Sequence, residues 1–122
     1  NEFENIIKSK FFEELDENSD LDFDEKSKLL KTIFKNLHSK NKISLLMLGN
    51  INKNFIDKLK LKLNTIYKEN EVKIYKNILD IENQENLIIF ANIENQTKAD
   101  VLKLKNRIDY LSIKIIGWIM VV

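Results

Sequence analysis

In a parallel α/β protein, phosphate chemistry sits in the turn after the first strand. There backbone N–H groups converge on the ligand, and a Lys with a Ser or Thr closes the loop. The corresponding turn in this chain runs Leu48-Gly49-Asn50-Ile51-Asn52-Lys53-Asn54-Phe55. It has one Gly, no Gly-Lys-Ser/Thr ending, and β-branched Ile51 where the loop has to bend. Lys53 is thus a lone candidate phosphate ligand, set against the plainer reading of a solvated Lys beside a helix start, where positive charge is unfavourable. A metal or phospho-acceptor site needs acidic groups at strand ends. The strands expected here end at Gly49, Tyr75, Ala91 and Val122, so a receiver-type reading is disfavoured. His38 is the only histidine, which excludes a Ser-His-Asp triad or a multi-His metal site within this chain. It falls where a helix is expected to finish, a structural position. With no Cys there is neither thiolate chemistry nor a disulfide framework. These residues assign no catalytic, cofactor-binding or metal-ligating position, and no cofactor.

Three further groups stand out. Trp118 lies in an apolar run and is expected to pack in the core rather than meet a partner. Lys53, Lys58, Lys60 and Lys62 make a basic helix start, read as a solvated face with a membrane-surface patch as the alternative. Glu13, Glu14, Asp16, Glu17, Asp20, Asp22, Asp24 and Glu25 form an acidic cluster, read as a hydrated linker.

The elements that would position these residues follow from periodicity. Leu87-Ile88-Ile89-Phe90-Ala91 is a short unbroken apolar run, as in a strand buried on both faces. Thr97 with Asp100 forms a capping-box pattern, and Val101, Leu104, Ile108 and Leu111 give the following helix one apolar stripe. Residues 113–122 supply a second buried strand, so residues 87–122 make a βαβ unit with parallel strands. Upstream, residues 43–48 read as a buried strand. Asn54 and Asp57 repeat the cap logic before a helix striped with Ile56, Leu59, Leu63 and Ile66. Residues 72–75 alternate like an edge strand, and residues 77–86 suffice for a short crossover. At the amino end, Phe3, Ile6, Ile7, Phe11, Phe12 and Leu15 predict one helix over residues 2–15. Leu30, Ile33, Phe34 and Leu37 predict a second, capped by Asp22 or Asp24 and ending near residues 38–41.

The sum is a single domain over residues 1–122, with a helical lead-in over 1–41 and an α/β core over 43–122. The core is a small open parallel sheet of about four strands in order 2-1-3-4, helices on both faces, preceded by two helices. Its ligand crevice belongs at the carboxyl ends of the strands, between residues 49–54 and residues 92–97. The 122 residues, 43% hydrophobic, are enough for one core and too few for two. Twenty basic and 19 acidic residues nearly cancel, and Arg107 is the only Arg, which argues against a nucleic-acid or phosphate reader. Asn1 in place of Met, and an end inside an apolar strand, point to a fragment. No run approaches the roughly 20 apolar residues of a membrane span, and no leader resembles a signal peptide.

The last third also resembles a known module. A strand, then Gln96-Thr97-Lys98-Ala99-Asp100-Val101-Leu102, then Leu111-Ser112-Ile113-Lys114-Ile115-Ile116-Gly117-Trp118-Ile119 looks like the closing βαβ of the MinD-like P-loop module in bacterial tyrosine kinases. That module also accompanies Wzz-type polysaccharide co-polymerases, the chain-length regulators of polysaccharide export. Beyond the last 35 or so residues the likeness extends only to the order of elements. The family's Walker loop has no counterpart at residues 49–54, so no kinase residue carries over. The resemblance implies a degenerate, non-enzymatic interaction domain at the cytoplasmic face of the bacterial inner membrane, acting in control of polysaccharide chain length or export. Its implied partners are other subunits of an export or polymerisation complex, with homo-oligomerisation through a full-length protein, membrane contact only through segments outside this chain, and no nucleic acid. The enzyme-class alternative is a nucleotide-binding kinase or ATPase-like domain with an atypical phosphate loop. Two surfaces are candidates for contacts: the basic helix start at Lys53 to Lys62 and the strand edge near Val72.

Overall fold

Three runs of this sequence are apolar at almost every position, and a strand of that kind is stable only when both of its faces are covered. A computed structural model of the chain, describing residues 2–21, 27–38, 42–68, 70–82 and 86–122, meets that demand with a three-layer α/β arrangement. The elements in order are α1 (Glu2–Ile7), β1 (Phe11–Leu15), α2 (Lys28–His38), β2 (Ile43–Leu48), α3 (Lys53–Ile66), β3 (Val72–Tyr75), a 3₁₀ turn (Ile78–Asp80), β4 (Asn86–Ala91), α4 (Lys98–Tyr110) and β5 (Lys114–Val121). The strands form one sheet in the order β1-β5-β4-β2-β3, and every pairing is parallel.

Period-two alternation divides the core. Ile43, Leu45, Met47, Ile88, Phe90, Ile119 and Val121 point to one side of the sheet and pack under α2 and α3 with Leu29, Ile33, Phe55, Leu59 and Leu63. Leu46, Leu87, Ile89, Ala91 and Trp118 point to the other side and pack under α1 and α4 with Phe3, Ile7, Val101, Leu104 and Ile108. Each Val, Leu, Ile, Phe or Met among them contributes about 1.5–3 kcal/mol when fully buried, so the two faces together dominate the fold.

The α/β class and the parallel sheet agree with the sequence reading, but the sheet has five strands instead of four. The four counted from Ile43 lie in the order β3-β2-β4-β5, and β1 extends the sheet beyond β5. The lead-in is therefore helix, strand, helix. A single helix over residues 2–15 fails for a steric reason. Lys8 has φ 53°, which ends α1, and Phe11 and Phe12 then fall on opposite faces of the sheet. Phe11 packs at a tilt against Trp118 with centroids 4.9 Å apart, while Phe12 joins the α2/α3 core. Glu13 and Glu14 are thereby strand residues, not linker.

Other corrections are smaller. The cap of α3 is Asn52, whose side chain accepts from Asn54 N–H, in place of Asn54. Its stripe is Phe55, Leu59 and Leu63, leaving Ile66 half exposed. On α2 the buried pair is Leu29 and Ile33, which turns Phe34 outward to 66% exposure. Asp22 and Asp24, expected as caps of α2, lie outside the described residues. The Thr97/Asp100 capping box of α4 forms as expected.

Two strand irregularities meet at one point. β5 carries an extra residue, Ile116, between its Leu87 and Ile88 partners, and β1 carries one between Phe11 and Glu13. A Cβ placed on Gly117 would stand 2.2 Å from the Phe12 ring. Ala in a strand would otherwise gain about 0.5–1 kcal/mol over Gly. A buried ring forced aside costs about 1–3 kcal/mol, so the clash dominates. Gly117→Ala is expected to lower the urea midpoint at unchanged m-value; a midpoint at or above wild type would contradict the packing.

Tyr67, the C-cap of α3, donates its hydroxyl to Leu30 O across 3.4 Å. Burial, then the nearby Glu71 carboxylate, raise its phenol above the ordinary 10.0. The folded state thus holds this proton more tightly than the unfolded chain does. Its contribution is complete below about pH 10 and is lost as pH climbs through the folded pKa. The stability difference between wild type and Tyr67→Phe, followed by denaturant titration, is expected to shift against wild type above that pH. A difference independent of pH would contradict it.

Candidate functional site

The crevice of an open parallel sheet forms where neighbouring strands send their chains in opposite directions. Here β2 leads outward through α3 to β3, while its neighbour β4 leads the other way through α4 to β5. Their carboxyl ends carry residues 49–52 and 92–97. Both loops are built to close on each other. Gly49 has φ +86°, and a Cβ there would lie 2.4 Å from Asn92 O. Asn92 N–H donates to Leu48 O and its Nδ2 to Asn50 O, each at 2.9 Å. Ile51, the residue that argued against a phosphate loop, is buried in the α2/α3 core.

The start of α3 would be the natural seat for an anion, since helix N-termini present unpaired N–H groups and a positive partial charge. An internal carboxylate already sits there. Asn52 N–H donates to Glu17 Oε2 at 2.9 Å, and Asn54 N–H is taken by Asn52 Oδ1 at 2.8 Å. Glu17 is anchored from the opposite side by its own N–H on Val122 O at 2.8 Å, and Val122 N–H returns to Leu15 O at 2.9 Å. The turn after β1 therefore folds back over the ends of β5 and β2. The reading of this acidic stretch as hydrated linker is wrong at Glu17, although Asp22, Asp24 and Glu25 lie outside the described residues. The usable clue in the sequence is confined to the Asn residues in the loops that follow β2 and β4.

Lys53, the candidate phosphate ligand, is placed elsewhere. With Lys60 it lines a groove between α3 and β3, opposite Lys73 and Lys76, over a floor that includes Ile56, Leu63, Ile74 and Tyr75; its volume is about 400 Å³. Lys58 and Lys62 fall on the other side of α3, beside Asp20 and Leu61. The basic helix start is thus divided, and half of it joins the β3 edge.

Two candidates remain, His38 and Trp118. His38 is exposed in the last turn of α2, stacked on Phe34 with centroids 6.2 Å apart. Trp118 is 1% exposed, wedged between Phe3 and Phe11, and its Nε1 finds no hydrogen-bond partner among the described residues. Among those residues no group of three or more His, Asp or Glu could hold a metal ion. Nor is any helix among them long and apolar enough to cross a membrane.

Comparison with known protein families, with curated proteins and with solved structures finds no match.

The Glu17 contact leads to a direct test. Glu17→Ala removes a charged acceptor from a backbone donor at a partly exposed site, which is expected to cost about 1 kcal/mol, while Glu17→Gln keeps an acceptor and loses less. Thermal unfolding checks the order wild type, Gln, Ala. Equal midpoints for all three would mean that the contact holds nothing in solution.

Proposed function

We propose that this chain is a non-catalytic interaction or regulatory domain of a membrane protein that controls polysaccharide chain length or export at the cytoplasmic face of a bacterial inner membrane. The link to export is supported by the likeness of residues 91–122 to the closing βαβ of the kinase and co-polymerase module. The non-catalytic part is supported by one observation, the Glu17 carboxylate 2.9 Å from Asn52 N–H.

A nucleotide phosphate would need that position. To reach it, the phosphate must displace a tethered carboxylate and separate two loops joined through Asn92. In return it would meet a loop with one Gly and no Gly-Lys-Ser/Thr ending, and Lys53 lines another groove. The partners proposed are other subunits of the export or polymerisation complex, with membrane contact made through segments outside this chain. Nineteen Lys, one Arg and a net charge of +1 offer nucleic acid little electrostatic or bidentate recognition.

Calorimetry with ATP and magnesium up to about 1 mM, the upper end of ordinary enzyme substrate constants, is expected to give no binding heat. Saturable binding in the micromolar range would replace this reading with that of a nucleotide-binding kinase or ATPase-like domain. For the export part, surface polysaccharide from cells lacking the domain is expected to change in chain-length distribution. An unchanged profile would remove that part of the proposal.

A further inference from the structure

An open parallel sheet ends in two strands whose outer N–H and C=O groups are unpaired by strand neighbours, and such edges pair with other chains unless guarded. Among the described residues, β1 and β3 are those edges, and they carry opposite charge. β1 and the turn after it present Glu13, which also accepts from Ser27 Oγ, with Glu14 and Asp16, while β3 and the groove beside it present Lys53, Lys60, Lys73 and Lys76 against the single carboxylate of Asp57. The four Lys and Glu14 and Asp16 are exposed, and Glu13 is partly so. Like-charged edges repel when brought side by side, so β3 disfavours β3 and β1 disfavours β1. Only the unlike pairing is attractive. A net charge of +1 adds almost no general repulsion between copies.

From this polarity we infer that a second copy of this chain docks its β1 edge onto the β3 edge and basic groove of the first. The groove is suited to this as well as charged. Its apolar floor of Ile56, Leu63 and Ile74 continues the α2/α3 side of the sheet, the side on which Leu15 of β1 also lies. The acidic side chains of β1 then lie among the Lys side chains at the rim. The interface joins two different surfaces, so it leaves one free edge at each end of any pair. Assembly is therefore open-ended instead of stopping at a dimer. Strands of four and five residues offer few hydrogen bonds, which makes the contact weak and strongly dependent on charge.

Sedimentation equilibrium tests this with the whole chain. In low salt the weight-average mass of wild type is expected to rise continuously with concentration, and to fall to that of the monomer at ~1 M salt, where the screening length is about 3 Å. Lys73→Glu/Lys76→Glu has two acidic edges and Glu14→Lys/Asp16→Lys has two basic ones, so each is expected to stay monomeric alone. Mixed in equal amounts, they are expected to associate again. Should the β3 variant fold poorly by circular dichroism, Lys53→Glu/Lys60→Glu on the exposed face of α3 makes the same test. A monomeric wild type in low salt would overturn the inference. So would association indifferent to salt or to these substitutions, or folded variants that fail to rescue each other.

Discussion

Burial of the central strands on both faces is the constraint from which the rest follows. β2 and β4 expose almost nothing to solvent along their length, and the middle of β5 is as deeply covered. Strands of that composition cannot stand at the surface, so the chain must supply helices to two sides and additional strands to two edges. α2 and α3 cover one face, and α1 and α4 the other. Trp118, the largest side chain in the core, ties the amino end to this frame through Phe3 and Phe11. With that sandwich set, the strand ends are also set, and the crevice position is determined before any functional residue is considered.

The central strands and α4 were legible in the sequence, because a parallel core strand leaves an unbroken apolar run and a covering helix leaves a three-four stripe. That is why β2, β4, β5 and α4 stand where periodicity places them. The amino end defeated the same logic. Phe3, Ile6, Ile7, Phe11, Phe12 and Leu15 suit one helical face, and nothing local shows that Lys8 takes a left-handed backbone or that Gly117, more than a hundred residues away, makes room for the Phe12 ring. Of the two edge strands, β3 alternates over residues 72–75 as the sequence reading expects, whereas the five residues of β1 carry little periodic signal. Their pairing depends on partners remote in sequence.

The site was legible in its location but not in its contents. The absence of a Gly-Lys-Ser/Thr loop could be read directly, whereas its replacement could not. Glu17 is one of eight acidic residues within 13 positions, and only the return of the turn onto Val122 singles it out. Lys53 points to the same limitation from the other side: a Lys at a helix start is equally consistent with a phosphate ligand and with the α3/β3 groove it actually lines. The open parallel sheet places a crevice at the strand ends, and the chain's own Glu17, Asn52 and Asn92 hydrogen-bond across it.

The occupied start of α3 is open to one decisive observation. In a ¹⁵N-labelled sample titrated with pyrophosphate, the Asn52 and Asn54 amide resonances report directly on whether that seat accepts an anion. The expected result is that both stay in place throughout the titration, since each N–H already has its acceptor. A saturable shift confined to these amides and the loop at Gly49 would show that Glu17 yields to phosphate, and would contradict the closed crevice on which the functional reading rests.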